Sequence, residues 1–240
     1  GPMSPSLTRL DRASFGLMDD EKVIVAGSTH AGEEAILLAV WERLKAECPG
    51  LVLLIAPRHT ERADELHGVI ASKGYQIIRR THLRAGGQSR GAPGRGSRVI
   101  LLDTRGELSE AYRFGTVAFV GGTLVPVGGH NLLEPACWGK PVLFGPYTDH
   151  CAEVASLLID GAGGIRVSGE EQLFESLRRC LMDEAYAVQV GTAAQCVMQA
   201  NQGALSKSLA VIQSLLDEDS TNRGGIARLK AAPLSHACDA

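Results

Sequence analysis

The sequence lacks several features that would place it in a class at once. No stretch approaches the roughly 18 apolar residues of a membrane-spanning helix, and we find no secretory signal. The formal net charge is -3, so no overall basic field would attract nucleic acid. None of the six cysteines forms a C-x-x-C pair, and we expect reduced thiols rather than disulfides. These absences favour a globular cytoplasmic protein whose function depends on local features.

Signatures of common enzyme classes are also missing. No G-x-G-x-x-G motif follows the first predicted strand, because Gly27 and Gly32 are too far apart, and no G-x-x-x-x-G-K-[ST] motif occurs. This argues against an NAD enzyme and against a P-loop ATPase. No histidines or cysteines have zinc spacing, and no G-x-S-x-G nucleophile elbow is present. We therefore predict no metal site and no self-contained catalytic triad.

The length of 240 residues fits one large domain or two small ones. The opening Gly-Pro-Met resembles a protease scar, and we assign residues 1–20 to a tag scar and linker. Residues 21–216 are predicted to form one domain, and the polar stretch 217–240 a flexible tail. The segment 84–97 holds five glycines and three arginines and is predicted to be a mobile surface loop.

Apolar, β-branched runs alternate along the chain with segments of helical spacing. Predicted strands cover 22–26, 51–56, 75–78, 99–103, 117–120, 141–144 and 165–167, and predicted helices cover 32–47, 60–74, 107–114, 131–138, 151–160, 170–181 and 185–216. This alternation predicts an α/β fold, a Rossmann-like parallel sheet with helices on both faces. Ligands of such sheets bind at the carboxyl ends of the strands. The candidate turns there are 27–32, 57–60, 103–107, 121–131 and 145–150.

The turn after the fifth strand carries the strongest signal, GGTLVPVGGHNLLEPA from residue 121 to residue 136. Two Gly-Gly pairs bracket an apolar loop, and the second pair leads into a helix whose amino end offers N–H groups and partial positive charge. Glycines there let a phosphate approach closely. Asn131 suits an N-cap or a phosphate donor, and Glu134 suits a pair of ribose hydroxyls. The alternative is a capped helix in which Glu134 bonds back to a backbone N–H.

The turn after the first strand holds further candidates. Ser28 and Thr29 can cap the following helix, and His30 can bond a ligand or a carbonyl group. Glu33 and Glu34 need no further role than a favourable interaction with the helix dipole.

The turns after the second and fourth strands add charged residues. Arg58 and His59 follow a proline, and a guanidinium at a strand's carboxyl end suits a phosphate or a stacked base. The alternative for Arg58 is a surface salt bridge to Glu61. Asp103 can cap the next helix or contact a ligand.

Four segments together resemble a known enzyme family: AGSTHAGEE, APRHTER, DTRGELSEAY and GGTLVPVGGHNLLEPACWGKPVLFGP. They are similar, in order and spacing, to the C-terminal half of 3-deoxy-D-manno-octulosonic acid (Kdo) transferases, which are GT-B enzymes of lipopolysaccharide synthesis. The resemblance covers residues 21–150, and beyond residue 150 only the fold matches. It implies that this chain is one half of a GT-B fold, the half that binds the donor CMP-Kdo.

The resemblance implies a role for each candidate residue. Carried over by position, Arg58, with His59 beside it, would contact the CMP moiety; Gly121, Gly122 and Thr123 would line the nucleotide pocket, with the hydroxyl kept; Gly128, Gly129, His130 and Asn131 would hold the phosphate; Glu134 would take the ribose hydroxyls; and Ser28, Thr29 and His30 would lie near the Kdo carboxylate or the phosphate.

The resemblance further implies inverting, metal-independent transfer of Kdo from CMP-Kdo to lipid A, with no cofactor. In the family the N-terminal half binds the lipid A precursor and supplies the catalytic carboxylate, so we expect the base outside this chain and the chain alone to be inactive. We expect the full-length protein at the cytoplasmic face of the bacterial inner membrane, with its membrane contact in the other half and this fragment soluble. Two alternatives are a GT-B transferase that uses a UDP-sugar and a non-catalytic nucleotide-binding module.

Overall fold

The structure, a computed structural model, describes residues 10–83 and 96–201. By its contacts the chain divides into a unit of residues 1–198 and a second unit of residues 199–240, and nearly all of the second lies outside the described residues. The predicted tail and almost all of the predicted glycine-rich loop also lie outside them.

Seven parallel strands form one sheet in the first unit. They are β1 (Val23–Thr29), β2 (Val52–Pro57), β3 (Ile77–Arg79), β4 (Arg98–Leu101), β5 (Val117–Val120), β6 (Val142–Phe144) and β7 (Gly164–Arg166). Their order across the sheet is β3-β4-β2-β1-β5-β6-β7, with every pair parallel. The predicted α/β class with a parallel sheet is confirmed.

Helices connect the strands. They are α1 (Glu33–Glu47), α2 (Ala63–Ser72), α3 (Leu108–Arg113), α4 (Leu133–Cys137), α5 (Ala152–Asp160) and α6 (Glu170–Met182). Residues 184–201 are also helical, and short 3-10 turns occur at Ala13–Phe15, Thr60–Arg62 and Arg80–His82.

Both faces of the sheet are buried, which explains the unbroken apolar runs. Successive strand residues point to opposite faces. In β1, Ile24 therefore joins a cluster beneath α1 and α6, whereas Val25 joins a cluster with Tyr112 of α3. Val142 and Phe144 of β6 pack in a third cluster that includes residues of α5.

The first strand extends further than the sequence predicts. We expected a turn from residue 27, but Gly27 and Thr29 still pair with Ala56 and Pro57 of β2. The register shifts between Gly27 and Thr29, and Ser28 adopts a left-handed φ of 54°. The strand therefore carries Ser28 and Thr29 to the rim of the sheet, where capping of α1 by either side chain is not observed.

Residues 10–20 pack against the domain, so the assignment of this stretch to a linker is wrong. Phe15 is fully buried in the cluster on the α3 face. The guanidinium of Arg12 donates to the carbonyls of Met18, Glu21 and Phe114. The bond to Phe114 joins residues 102 positions apart, and no periodic pattern in residues 10–20 predicts these contacts.

The sheet topology sets the position of the site. The strands β2, β3 and β4 lie on one side of β1. The chain then crosses to the other side of β1, where it forms β5, β6 and β7. In such a sheet a ligand crevice is expected where the connections diverge, here at the carboxyl ends of β1 and β5, and we call this region the crevice. The turns predicted to carry function lie along this edge.

Candidate functional site

A cleft of about 360 Å³ lies at the carboxyl ends of β1, β2 and β4. Its lining includes Ser28, Arg58 and His59, which the sequence predicts as site residues. Leu102 and Leu108 supply apolar surface, whereas Thr104 and Arg105 supply polar groups. Apolar walls with a few polar groups suit a planar heterocycle with polar edges.

Arg58 is exposed at the cleft and forms no ion pair within the described residues. The alternative salt bridge from Arg58 to Glu61 is not formed. Glu61 instead lies 3.5 Å from the His59 ring and 3.9 Å from the Arg105 guanidinium. The Arg58 guanidinium is therefore available to an anionic or aromatic ligand.

Glu33 joins the turn after β1 to the turn after β5, and the sequence does not predict this role. Its side chain is fully buried. One carboxylate oxygen accepts from the N–H groups of His30 (2.9 Å) and Gly122 (2.7 Å), and the other from Thr123 (3.0 Å) and Leu124 (2.9 Å). The expectation that Glu33 serves only the helix dipole is wrong, because its main partners lie about 90 residues away in sequence.

Gly121, Gly122 and Thr123 shape the loop that they were predicted to offer to a nucleotide. The Gly121 N–H donates to the Gly27 carbonyl, and those of Gly122 and Thr123 donate to Glu33. Thr123 is fully buried, and its hydroxyl donates to the Val120 carbonyl at 2.6 Å. A Cβ atom on Gly121 would lie 2.4 Å from the Ser28 carbonyl oxygen, so only glycine fits there.

The turn at the second Gly-Gly pair contains backbone N–H groups without an acceptor in the described residues. Gly128 and Gly129 have φ values of 103° and 85°, which favour glycine. The Gly129 N–H donates to the Gly122 carbonyl. The N–H groups of Gly128, His130 and Asn131 donate to no acceptor in the described part of the chain. Three backbone donors on one turn can bind an anion.

Asn131 and Glu134 interact with each other where α4 begins. The helix begins at Leu133, two residues later than predicted, because the Asn131 side chain accepts from the Leu133 N–H at 3.1 Å in an Asx turn. The Asn131 amide also donates to Glu134 at 3.3 Å. Glu134 makes no bond to a backbone N–H in the described residues, so the capping-box alternative is not realised.

His30, in the turn after β1, contacts His130, in the turn after β5. The Nε2 atoms of His30 and His130 are 2.8 Å apart, and the two ring planes are parallel to within 6°, so the rings meet through their edges. The His59 ring contacts His30 edge-on at 5.7 Å. Burial lowers the pKa of His130 to about 4, and His30, Arg58, His150 and His59 act in the same direction.

Thr29, which precedes His30, is bonded to Glu34 in the first turn of α1. Thr29 is fully buried, and its hydroxyl donates to Glu34 at 3.0 Å. Arg62 donates to the same Glu34 oxygen at 2.9 Å. The Thr29 hydroxyl therefore positions the turn and is not accessible to a ligand in this conformation.

Comparison with known proteins places these features in a family. No protein-family model matches the chain. The chain is 32% identical over 214 residues to the 3-deoxy-D-manno-octulosonic acid transferase of Haemophilus influenzae, a match that covers 89% of this chain and 48% of that protein. It is 37% identical over 158 residues to the enzyme of the same name from Aquifex aeolicus, covering 66% of this chain and 41% of that protein.

A solved structure decides the assignment. The crystal structure of the C-terminal CMP-Kdo binding domain of WaaA from Acinetobacter baumannii is similar with a TM-score of 0.68 and 31% identity. The match covers 75% of this chain and 91% of that domain. The chain belongs to the Kdo transferase family. The predicted fold, one Rossmann-like half of a GT-B architecture, is confirmed.

This Kdo transferase chain spans about half the length of the curated relatives that it matches. In residues 10–83 and 96–201, no helix combines the length and the hydrophobicity needed to cross a bilayer. Within the same ranges, histidine, cysteine, aspartate and glutamate side chains form no group of three or more that could hold a metal ion.

The structure of the Kdo transferase chain thus sorts its predicted site residues into two groups. Thr29, Gly121, Gly122 and Thr123 build the crevice from within. The remaining predicted residues lie at the end of β1 or on the turns that follow β1, β2 and β5: Ser28, His30, Arg58, His59, Gly128, Gly129, His130, Asn131 and Glu134.

Proposed function

We propose that this chain binds CMP-Kdo and is the donor-binding domain of a transferase that moves Kdo from CMP-Kdo to a lipid A precursor in lipopolysaccharide biosynthesis. One observation carries the proposal: the similarity extends over 91% of a solved CMP-Kdo binding domain. The cationic crevice at the switch point supports it, because a nucleotide needs an anion site beside an apolar slot.

The cytidine ring is proposed to occupy the cleft beside Arg58. The guanidinium has no ionic partner in the described residues and can stack on the base or contact the phosphate. Leu108, which is partly exposed beside the buried Leu102, offers apolar surface on which a ring can pack. Ser28 lies at the edge of the same cleft, with its backbone held in the left-handed region.

The phosphate is proposed to bind at the second Gly-Gly pair. The N–H groups of Gly128, His130 and Asn131 provide donors, and Arg58 provides positive charge. A side chain at residue 128 would obstruct the turn, since a Cβ there would lie 2.7 Å from the His150 ring. Charge that grows on the departing CMP phosphate would be stabilised by the same groups.

Glu134 is proposed to accept hydrogen bonds from the ribose hydroxyls. One of its oxygens is oriented by Asn131 at 3.3 Å, and the other has no partner in the described residues. A half-buried carboxylate held in this way can accept from two neighbouring hydroxyls without a large loss of side-chain entropy.

The chemical step is proposed to be inverting and metal-independent. An acceptor hydroxyl would lose its proton to a carboxylate of the other half of the enzyme and attack the anomeric carbon as CMP leaves. The cations and backbone donors of the crevice would then take the role that a metal has in other sugar-nucleotide enzymes. Closure of the two halves would exclude water from the donor. The full-length protein would act at the cytoplasmic face of the inner membrane, with the acceptor and the membrane contact in the other half.

Calorimetric titration with CMP, UMP and AMP tests the proposed function. We expect CMP to bind most tightly, and we expect Glu134→Ala to weaken CMP about tenfold or more, as the loss of a charged hydrogen-bond acceptor implies. Glu153→Ala is the matched control, because Glu153 also lies in the first turn of a helix but is exposed on α5. Tighter binding of UMP would favour a UDP-sugar enzyme, and unaltered binding by Glu134→Ala would contradict the ribose role.

A further inference from the structure

The contact between His30 and His130 constrains the protons that the crevice can hold. Their Nε2 atoms are 2.8 Å apart, which is hydrogen-bond distance. A neutral imidazole has one N–H and one acceptor nitrogen, and an imidazolium has two N–H groups. The contact therefore requires one ring to donate and the other to accept. A second proton at this contact would place two N–H groups head to head and break it.

The surroundings hold this pair in its neutral form. Burial lowers the pKa of His30, with Glu33 and Glu34 opposing the shift and His59 and Arg62 adding to it. The two carboxylates are already committed, Glu33 to four backbone N–H groups and Glu34 to Thr29 and Arg62. Neither of these two carboxylates is thus left free to compensate a second proton on the pair.

One arginine and two further histidines lie near the pair on the other elements. Arg58 and His59 follow β2, and His150 follows β6 with its N–H bonded to the Gly128 carbonyl. All three disfavour a charged His130. An anion can supply the missing counter-charge, because the backbone N–H groups of Gly128 and Asn131 in the His130 turn donate to no acceptor in the described residues.

We propose that the histidine pair shares one proton in this conformation and takes up a second when a phosphate binds, so that both rings donate to the anion and donor binding is coupled to proton uptake. The proposal rests on the proposed donor-binding function and assigns His30 and His130 as positioning residues for the phosphate. Breaking the contact costs one hydrogen bond, and two charge-assisted bonds to the phosphate replace it.

The direction of the pH dependence follows from linkage. The bound form carries the extra proton, so its pKa exceeds that of the free pair. Affinity therefore rises as pH falls through the bound-state pKa, by at most about tenfold per pH unit for one proton. The gain ends only below the pKa of the free pair, which for His130 is about 4.

The test uses the methyl ester of CMP, because the phosphate of CMP itself titrates near pH 6, as other phosphate monoesters do. Calorimetric titrations at about pH 6.5 in buffers of different ionisation enthalpy count the protons taken up. We expect about one proton per bound ester for the native chain. We expect none for His130→Asn or His30→Asn, and the native value for His82→Asn, whose exposed histidine lies outside the crevice.

Each outcome separates this inference from the proposed function. Binding of the ester by the native chain without proton uptake overturns the coupling and leaves donor binding intact, and this result does not depend on whether a variant folds. Native uptake retained in His130→Asn also overturns it, provided that circular dichroism shows a folded variant. Failure of both CMP and its ester to bind overturns the proposed function as well.

Discussion

At the scale of single residues, the buried carboxylate of Glu33 is the strongest tie between the two loops of the crevice. Each of its oxygens accepts two backbone N–H groups. Replacement by glutamine turns one oxygen into an NH₂ group, which cannot accept, so two buried N–H groups lose their partner. We expect Glu33→Gln to lower the free energy of unfolding by about 3 kcal/mol, measured by urea denaturation.

A control shows whether this loss comes from the four bonds. Glu171→Gln removes an exposed carboxylate that pairs with Arg43 on the surface. Exposed pairs contribute little to stability, so the urea midpoint of this variant should remain that of the native chain. A Glu33→Gln midpoint equal to the native one would mean that the loops are held by packing alone.

The histidine pair also makes stability depend on pH. Burial holds the pKa of His130 near 4, below the ordinary value of 6.5 that it regains on unfolding. Between these values the unfolded chain binds more protons, so this contribution is complete above pH 6.5 and is lost as pH falls towards 4. We expect His130→Asn to flatten that part of the urea-midpoint profile. A flattening of equal size in His82→Asn would contradict the assignment.

Residue-level sequence reasoning found side chains that face the crevice and missed those that hold it together. Arg58 and His130 follow predicted strands, and the topological rule alone places them at the site. From the sequence, Glu33 was expected only to interact favourably with the helix dipole, because its partners in the turn after β5 are remote in sequence. The resemblance implied that Thr123 lines the nucleotide pocket, and the sequence does not show that its hydroxyl donates to the Val120 carbonyl.

At the scale of elements, strands were predictable because both faces of the sheet are buried. The β5 limits match the predicted range 117–120, since an apolar run ends there at a Gly-Gly pair. Element ends set by side-chain bonds were not predictable: α4 begins late because Asn131 forms an Asx turn. The packing of residues 10–20 was missed because it depends on the burial of Phe15 and on the bond from Arg12 to the Phe114 carbonyl, which is remote in sequence.

The close approach of β1 to the β5 turn gives a prediction for glycine. A Cβ on Gly121 would lie 2.4 Å from the Ser28 oxygen and 2.6 Å from the Thr29 Cα, and neither backbone atom can move without displacing the strand. We expect Gly121→Ala to lower the free energy of unfolding by about 3 kcal/mol, as overpacking of a rigid contact does.

The matched substitution is Gly68→Ala in the interior of α2. A Cβ there meets nothing within 4 Å, so the only effects are a better helix former and a less flexible unfolded chain. We expect a gain of about 0.5–1 kcal/mol in the same urea experiment. Equal effects at the two glycines would show that the approach between β1 and the turn is not tight.

At the scale of the whole molecule, the sheet separates two cationic clefts. The proposed donor site lies at the carboxyl ends of the strands. A second cleft of about 370 Å³ lies at the amino ends, lined by Arg12, Lys22, Arg113 and Lys140 with a single acid, Glu184. Both clefts contain basic residues, so charge alone does not determine which of them binds an anion. Among residues 10–83 and 96–201, only the carboxyl edge combines cations with free backbone donors and an apolar slot, which is why we propose it as the nucleotide site.

Thermal unfolding distinguishes the two clefts. CMP at about a hundred times its Kd stabilises the folded state by about 2.7 kcal/mol, which raises Tm by roughly 5–10 °C for a domain of this size. We expect Lys140→Met to keep this shift and Arg58→Met to lose most of it. Cytidine should give a smaller shift than CMP because it lacks the phosphate. If Lys140→Met loses the Tm shift and Arg58→Met retains it, the nucleotide binds at the amino edge. That result would refute the proposed donor site.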